Sequence, residues 1–486
     1  MDFSSNSDAA PFRAWLGLAV LIVPVLLVAM DMSVLYLGMP DVSSALHPSA
    51  TAEMWIIDIY GFSLAGLLVT MGNIGDRFGR RKILLAGAAV FGLASVLAAC
   101  APNVGTLIAA RALLGAGSAM LLPASLALIS NLFPAGRSRR TAVGIWTAFF
   151  AGGAAMGPVI GGTLLYEFWW GSLFLINVPV ALAVLVAAPF LLPDYREPDA
   201  GPLDLLSVGL FLAAVLPLVF ALKRAAVEGL DAPTVGAAVV GTAVLLWFVR
   251  RQRWLPEPLL DLSLFRRRAF TMAVAAASVA ALSWAGLSYL TCAYRQSVLG
   301  YDVLGAAMLG VPMAIAVFGS AVTGVRIGTR LGTTRTILLA LGAAAAGNLI
   351  LLGTSAVAGT LPFTVGSTIA GLGYGVLFSF ASEAAVSAVP IDEAGAAAGI
   401  SETSLELGSG VGISLLGSLA AAVFRGGGDF APTLSETIDA AKGDETVISS
   451  ARSAFVDGMH IATLVGVGAV VLTAAAIWAV TRKGGG

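Results

Sequence analysis

The stretch GNIGDRFGRRK, residues 72–82, places one acidic and four basic residues between two long apolar runs. This cluster is unusual for the chain, because 11% of its 486 residues are charged and 58% are hydrophobic. A water-soluble domain has about half apolar and about a quarter charged residues. The composition therefore predicts a polytopic membrane protein, and the charged stretch predicts a short polar turn between two membrane spans.

Apolar runs of membrane-spanning length recur along the chain. A helix that crosses the hydrocarbon layer needs about 20 mostly apolar residues, because its backbone polar groups must be hydrogen-bonded within the segment. The first run contains an acid and is too long for a signal-peptide core, so it is predicted to be an uncleaved span. An all-α fold with fourteen spans is expected, near residues 14–38, 54–72, 83–101, 105–129, 141–165, 171–192, 203–222, 234–250, 270–292, 303–325, 336–355, 360–383, 398–424 and 460–481.

The basic residues predict the orientation of these spans. Cytoplasmic loops hold an excess of Lys and Arg, and most of the 27 Lys and Arg residues fall on the inner side if both termini are cytoplasmic. The charged turn then lies at anionic lipid head groups, and the chain is a multi-pass protein of the bacterial plasma membrane. The predicted outer segments contain Lys223, Arg224, Arg295, Arg425, Lys442 and Arg452.

An internal repeat divides the chain. GDRFGRRKILL from Gly75 aligns with GTRLGTTRTIL from Gly328, and the Gly-rich segment at residues 152–162 has a counterpart, GSGVGISLLG, at residues 408–417. Parallel repeats are a recurring transporter architecture, with the substrate site between them near the midplane. The predicted domains are a six-helix bundle at residues 1–192, cytoplasmic connectors with two inserted spans at 193–268, and a six-helix bundle at 269–486 with an extracellular loop at 425–457.

Part of that loop has helical periodicity. The apolar residues at helical spacing are Val447, Ile448, Ala451, Phe455 and Met459. They predict a short amphipathic helix against the outer face. This helix could serve as a lid or as a connector, and the two roles are equally plausible.

Six ionisable side chains fall inside predicted spans, where each costs about 2.5–3.5 kcal/mol and indicates function. They are Asp31, Asp58, Arg111, Glu383, Glu402 and Glu406. An ion pair between Arg111 and one of the two aspartates is geometrically possible. Glu402 and Glu406 are four residues apart and share one helical face. Two of the six have a competing interpretation, since Asp58 could be hydrated near the outer interface and Glu383 could lie at the inner mouth.

A buried carboxyl group can hold a proton or balance the charge of a cation, but not both. A cavity that carries such a group from one side to the other therefore exchanges protons for positively charged substrates. Four aromatic side chains near the acids would hold an organic cation by cation–π attraction. They are Tyr36, Tyr60, Trp146 and Phe149, and simple packing explains their positions in the sequence equally well.

Several other functions are not indicated by the sequence. None of the four lysines lies in a phosphate-binding G-x-x-x-x-G-K-[ST] motif. The two cysteines cannot form a disulfide framework, and the two histidines lack a cluster of metal ligands. No cofactor, metal or nucleic acid is therefore expected, and the chain is not expected to be an enzyme.

Four motifs resemble those of the major facilitator superfamily. GNIGDRFGRRK resembles its signature between the second and third spans, RALLGAGSAMLLPASLALI from Arg111 its fourth-span motif, and GGAAMGPVIGG the fifth-span motif of antiporters. DMSVLYLGMPDV from Asp31 resembles the first-span motif of the fourteen-span drug:proton antiporter branch. This resemblance implies a QacA-like, proton-coupled exporter of lipophilic cations such as quaternary ammonium compounds and dyes.

The resemblance also assigns roles to residues. It implies proton coupling by Asp31 and Arg111, and SETSLELG at residues 401–408 looks like the acidic thirteenth span of such exporters, which supports Glu402 and Glu406 as cavity acids. Together with the intramembrane acids and the nearby rings, this gives Asp31, Arg111 and Glu406 as candidate proton-coupling residues. The candidate substrate-binding residues are Asp31, Asp58, Glu402, Glu406, Tyr36, Tyr60, Trp146 and Phe149. Alternating access would depend on Asp76 and its neighbours as a latch, and on Gly157 and Pro158 as a hinge. The full set of conformational residues is Gly72, Asp76, Arg77, Gly79, Arg80, Gly157, Pro158 and Gly161.

Three alternatives remain open at this point. An exporter dedicated to one antibiotic or metabolite has the same motifs, and a symporter on the same fold is disfavoured by the fifth-span motif. A polytopic enzyme or sensor would require a catalytic cluster or an appended soluble domain, and the sequence shows neither. The transporter is expected to function as a monomer in the lipid bilayer.

Overall fold

The computed structural model describes residues 12–133, 137–194, 204–255, 258, 262–389 and 394–483. These residues form helices without any strand, which confirms the all-α class. Within this part of the chain, twelve helices are long and apolar enough to cross a membrane. Two further spans expected from the sequence coincide with α2 and α5, helices of 29 and 31 residues that are not among those twelve.

The first half of the chain forms a bundle. Over residues 12–133 and 137–194 its helices are α1 (Phe12–Leu46), α2 (Ala50–Phe78), α3 (Arg80–Ala99), α4 (Val104–Leu132), α5 (Arg137–Glu167), α6 (Ser172–Leu175) and α7 (Asn177–Leu191). Helix α1 packs against α5, α2 against α4, and α3 against both α4 and α7.

An inserted pair of helices follows, α8 (Leu205–Glu228) and α9 (Ala232–Gln252). Arg251 pairs with Asp204 at one end of this pair and Arg224 pairs with Asp231 at the other, each at 2.9 Å. Because Arg224 and the backbone amide of Thr234 donate hydrogen bonds to Asp231, the pKa of that carboxyl is well below its usual range. Helix α8 packs against α2 and also against the long helix α16 of the second half (Ala394–Gly426), so the pair lies beside the junction of the halves.

The second half repeats the arrangement of the first. Over residues 262–389 and 394–483 it contains α10 (Arg268–Ala293), α11 (Val303–Met308), α12 (Val311–Leu331), α13 (Thr333–Ile350), α14 (Thr360–Val376), α15 (Ser382–Ser387), α16, α17 (Leu434–Ala440) and α18 (Glu445–Lys483). Helix α10 packs against α16, α12 against α14, and α13 against both α14 and α18, which are the same pairings as in the first half. A π-helical turn, Tyr294–Val298, continues α10.

The repeated charged turns share a backbone conformation. Gly79 ends α2 with φ 112°, and Gly332 ends α12 with φ 82°. Side-chain-bearing residues rarely adopt this region, so glycine is required for the reversal of direction. In each copy the glycine N–H donates to the carbonyl four residues earlier at 2.9 Å.

Close helix contacts at glycines also recur in both halves. A Cβ at Gly153 of α5 would overlap the carbonyl oxygen of Leu26 in α1, and a Cβ at Gly157 would lie 2.8 Å from the Met30 carbonyl oxygen. In the second half, a Cβ at Gly412 of α16 would overlap the Leu282 carbonyl of α10. Small residues thus let α1 pack against α5, and α10 against α16, backbone to backbone.

The halves meet through α2 with α16, α5 with α11 and α12, and α1 with α10. Described hydrogen bonds between them include one from Tyr289 to Glu53 at 3.4 Å and one from Gln296 to the Leu37 carbonyl at 3.1 Å. The predicted amphipathic segment around residue 451 is helical and forms the first turns of α18, with Ala451 and Met459 buried.

Candidate functional site

A buried ion pair lies at the centre of the first half. Arg111 of α4 donates from Nη1 to Oδ2 of Asp31 on α1, and neither residue is exposed to solvent. The Asn177 amide of α7 also donates to Oδ1 of Asp31, at 3.4 Å. In the described structure the side-chain contacts of Asp31 therefore come from helices of its own half. The two opposite charges balance each other in an environment where either one alone would be costly.

Arg111 also connects the pair to α2. Its Nε donates to the Ile56 carbonyl at 3.0 Å, and its Nη2 donates to the Ile57 carbonyl at 3.3 Å. The guanidinium carbon lies 4.6 Å from the centre of the Tyr60 ring. The Tyr60 hydroxyl is 3.0 Å from the Val28 carbonyl oxygen, which accepts its hydrogen bond. Tyr60 thus packs on the ion pair, inside the first half.

Asp58 follows these carbonyls in α2 and connects the two halves. It is buried, and the Ser414 hydroxyl of α16 donates to its Oδ2 at 2.7 Å. The competing expectation of a hydrated Asp58 does not agree with its 2% exposure.

The α16 carboxyl groups differ in environment. Glu406 is 5% exposed, and its buried Oε2 has no hydrogen-bond partner among the described residues. A Cβ on Gly61 of α2 would lie 3.5 Å from that oxygen, so Glu406 is beside the junction of the halves. Glu402, one turn earlier, is half-buried. Glu383 is exposed on the short helix α15, as expected for a residue at a mouth rather than in a binding site.

The aromatic residues predicted to bind a cation have different surroundings in the structure. Tyr36 lines a cavity between the halves. Trp146 instead donates its Nε1–H to the Ser125 hydroxyl at 2.9 Å and stacks on Phe150, so its polar atom is occupied by packing of α4 with α5. Phe149 is 38% exposed.

The conformational residues lie in both the charged turn and α5. A Cβ at Gly161 would lie 2.5 Å from Val34, and Pro158 lines the same cavity as Tyr36. Gly72 lies near Pro123. Arg77 is exposed and Arg80 half-buried. The side chain of Asp76 lies outside the described part of the structure, so its latch role stays a prediction.

One buried residue of the cavity was not singled out from the sequence. Arg295 was expected in an outer segment, but the π-helical turn continues α10 and leaves this residue 4% exposed. The cavity is lined by Ser33, Tyr36, Ala154, Pro158 and Val159 of the first half and by Trp284, Ser288, Thr291, Cys292, Arg295, Ala307, Gly310, Met313, Ala314, Val317 and Phe363 of the second. Across the described residues, no group of three His, Cys, Asp or Glu side chains could hold a metal ion.

Comparisons with known proteins agree on one family. Residues 21–413 match the Major Facilitator Superfamily. The chain is 37% identical to the multidrug efflux pump LfrA of Mycolicibacterium smegmatis over 86% of this chain and 83% of that protein. It is 33% identical to the methyl viologen resistance protein SmvA of Salmonella typhimurium over 84% of this chain and 83% of that protein.

Two further matches extend over nearly the whole chain. The puromycin resistance protein pur8 of Streptomyces alboniger is 33% identical over 96% of this chain and 91% of that protein. The crystal structure of a bacterial homologue of the human lysosomal transporter Spinster, inward-facing and unoccupied, aligns with TM-score 0.66, 18% identity and 98% coverage of both chains. At that identity the structural match supports the fold alone.

Proposed function

We propose that the chain, which belongs to the Major Facilitator Superfamily, exports lipophilic organic cations across the plasma membrane in exchange for protons. It is a multi-pass membrane transporter and not an enzyme, and its relatives include multidrug efflux pumps and resistance transporters. One relative is named as a methyl viologen resistance protein, and methyl viologen is an aromatic dication with two quaternary nitrogens. Quaternary ammonium compounds and dyes are therefore the proposed substrates.

The observation that carries this proposal is the unpartnered carboxyl oxygen of Glu406. An isolated carboxylate buried in low dielectric is strongly unfavourable. A proton or a cationic substrate satisfies it, and each excludes the other. Glu402 lies on the same helical face and adds a second negative group for a cation.

Asp31 and Arg111 are proposed to couple proton movement to this site. Protonation of Asp31 would leave Arg111 without a negative partner while it still holds the carbonyls of Ile56 and Ile57. Asp58 follows Ile57 in α2 and accepts a hydrogen bond from the Ser414 hydroxyl of α16. A change at the ion pair would therefore be transmitted through contiguous polar contacts to α16, the helix that carries Glu406. Among the aromatic candidates, Tyr36 lines the cavity, which supports its proposed contact with a cation.

The proposed topology has fourteen spans, with α2 and α5 added to the twelve and both termini in the cytoplasm. The halves are residues 1–192 and 269–486, joined by the connectors and inserted pair at 193–268, and one copy functions alone. On this topology the hydrogen bonds of Glu53 and Leu37 lie toward the extracellular face, so the described conformation is closed on that side. The turn around Gly79 and the α5 segment Gly157–Gly161 would adjust as the halves rock.

Transport of ethidium into vesicles with an acidic interior tests the proposal. We expect wild type to accumulate ethidium as protons leave, Asp31→Asn to lose this coupled transport, and Glu406→Gln to bind ethidium about tenfold more weakly, as expected for a lost charge-assisted contact. Asp439→Asn and Glu436→Gln, which change exposed acids of α17, are the matched controls.

Two results would contradict this function. Unchanged uptake by Asp31→Asn removes that carboxylate from the mechanism. Uptake that continues after a protonophore has collapsed the gradient contradicts proton exchange altogether.

An exporter dedicated to one antibiotic is the second candidate, favoured by the match to the puromycin resistance protein over 96% of this chain. Competition separates the two proposals. A multidrug exporter shows mutual inhibition among ethidium, methyl viologen and puromycin, whereas a dedicated exporter responds to one of them.

A further inference from the structure

Asn177 is a buried polar residue beside the ion pair that was not singled out from the sequence. It is the first residue of α7, and neither it nor Ser95 of α3 is exposed to solvent. Its amide nitrogen donates to Oδ1 of Asp31 at 3.4 Å and to the Ser95 hydroxyl oxygen at 3.2 Å. Both amide hydrogens are thus used, and they connect α7 to α1 and to α3.

The amide oxygen of Asn177 has no such partner. It is buried, and no described residue donates a hydrogen bond to it. Such an oxygen is unfavourable in a protein interior. Turning the amide over would exchange its oxygen and its nitrogen, but the oxygen would then lie against the ionised carboxylate of Asp31. The negative charge of Asp31 therefore sets the orientation of the amide.

The carboxylate of Asp31 is shared between a charged and a neutral donor. Arg111 of α4 donates to Oδ2, and Asn177 donates to Oδ1. Tyr60 of α2, whose ring lies 4.6 Å from the guanidinium carbon, is the other titratable side chain that faces Asp31. Among the described residues of α5, α6, α7 and α10, which also pack against α1, no charged side chain lies within hydrogen-bonding distance of Asp31.

The two donors differ in what they can do when Asp31 takes up a proton. A guanidinium has donors and no acceptor, so Arg111 cannot accept the new O–H of the acid. The amide of Asn177 has both kinds of atom, and turning it over offers its oxygen to that O–H. The Ser95 hydroxyl suits either orientation, because it can accept from the amide nitrogen or donate to the amide oxygen.

From these contacts we propose that Asn177 is a positioning residue for the proton-coupling carboxylate and pairs with Asp31 in both protonation states. Its nitrogen holds Oδ1 of the ionised carboxylate, and its oxygen accepts the O–H once the proton has been taken up there. A hydrogen bond to an ionised group is stronger than one to a neutral group, so the net effect of Asn177 favours the ionised form. This proposal rests on the proposed antiport and adds α7 to the helices that control it.

Infrared spectroscopy of the full chain in phosphatidylcholine membranes follows the titration of Asp31 directly. The carboxylic acid band that wild type shows and Asp31→Asn lacks reports protonated Asp31, and the pH at which this band is half-developed is the midpoint. Asn177→Leu keeps the side-chain size but removes both polar atoms, so we expect it to raise the midpoint by about half to one pH unit. Ser95→Ala removes the second acceptor of the amide and should raise the midpoint by about 0.3 unit or more. This smaller change decides the question if Asn177→Leu does not reach the membrane.

Asn348→Leu is the matched control in the second half. Asn348 of α13 is buried and donates to the Ser283 hydroxyl at 3.1 Å and to the Tyr374 hydroxyl at 2.7 Å. Its described partners thus include no carboxylate, although it too connects three helices of one bundle. We expect this variant to leave the midpoint of Asp31 unchanged.

The outcomes distinguish this proposal from the function on which it rests. An unchanged or lowered midpoint in Asn177→Leu, or in Ser95→Ala where that variant decides, would overturn the proposal. An equal rise in Asn348→Leu would overturn it as well, because the effect would then come from a general loosening of helix packing. Failure of wild-type vesicles to exchange ethidium for protons would instead refute the proposed antiport, whatever the infrared midpoints are.

Discussion

Removing the carboxylate of Asp31 should destabilise the protein far more than removing both members of its ion pair. In Asp31→Ala, Arg111 would keep only backbone carbonyls and the Tyr60 ring around a fully buried positive charge. Breaking a buried pair in this way costs about 3–5 kcal/mol. Replacing both partners, as in Asp31→Ala with Arg111→Met, leaves no charge behind and is often close to neutral. We therefore expect a coupling energy of about 3 kcal/mol or more between the two positions.

The free energy of unfolding can be measured in mixed micelles by titration with SDS, for the wild type, the two single variants and the double variant. The pair of Arg224 and Asp231 is the control, since its N–O distance is 2.9 Å but its side chains are 25% and 34% exposed. An exposed pair contributes about 0–1 kcal/mol, so the same four-variant cycle there should give a small coupling. A coupling energy between Asp31 and Arg111 as small as that of the control would refute the conclusion that the two side chains form a buried ion pair.

Two further predictions concern helix contacts. Gly157→Ala should lower the free energy of unfolding by about 1–3 kcal/mol, because the new Cβ would overlap the Ser33 hydroxyl. Gly144→Ala on the same helix, where a Cβ meets nothing within 4 Å, should be neutral in the same titration, and equal effects would contradict the close contact. Ser414→Ala should weaken the contact between the halves by about 1.5–3 kcal/mol, because it removes a hydrogen bond to Asp58. The same SDS titration measures this loss, and a change as small as that of Gly144→Ala would contradict the hydrogen bond.

Features that depend on composition and short-range spacing could be predicted from the sequence. The all-α class follows from the abundance of apolar runs, and the family follows from four motifs that include the charged turn. The repeat of Gly79 at Gly332 was visible because the required backbone conformation selects the residue type itself.

Features that depend on how helices pack sideways could not be predicted in this way. The sequence indicates that Arg111 could pair with an acid, but the choice of Asp31 over Asp58 depends on the lateral positions of α1 and α2. The packing of Trp146, whose N–H donates to the Ser125 hydroxyl and whose ring stacks on Phe150, depends on such lateral positions as well. Arg295 looked like a loop residue because a hydropathy pattern ends where charge begins, whereas the chain continues as a buried helix.

The inserted pair of helices has a consequence for how freely the halves can rotate. Helix α8 touches α2 and α16 through apolar side chains such as Phe211 and Leu212, beside Leu407. Lipid tails are as apolar as these side chains, so exchanging one for the other changes the free energy little. Close packing, such as that of Leu212 over Gly66, therefore decides how easily α2 and α16 move along the inserted pair when the halves rotate.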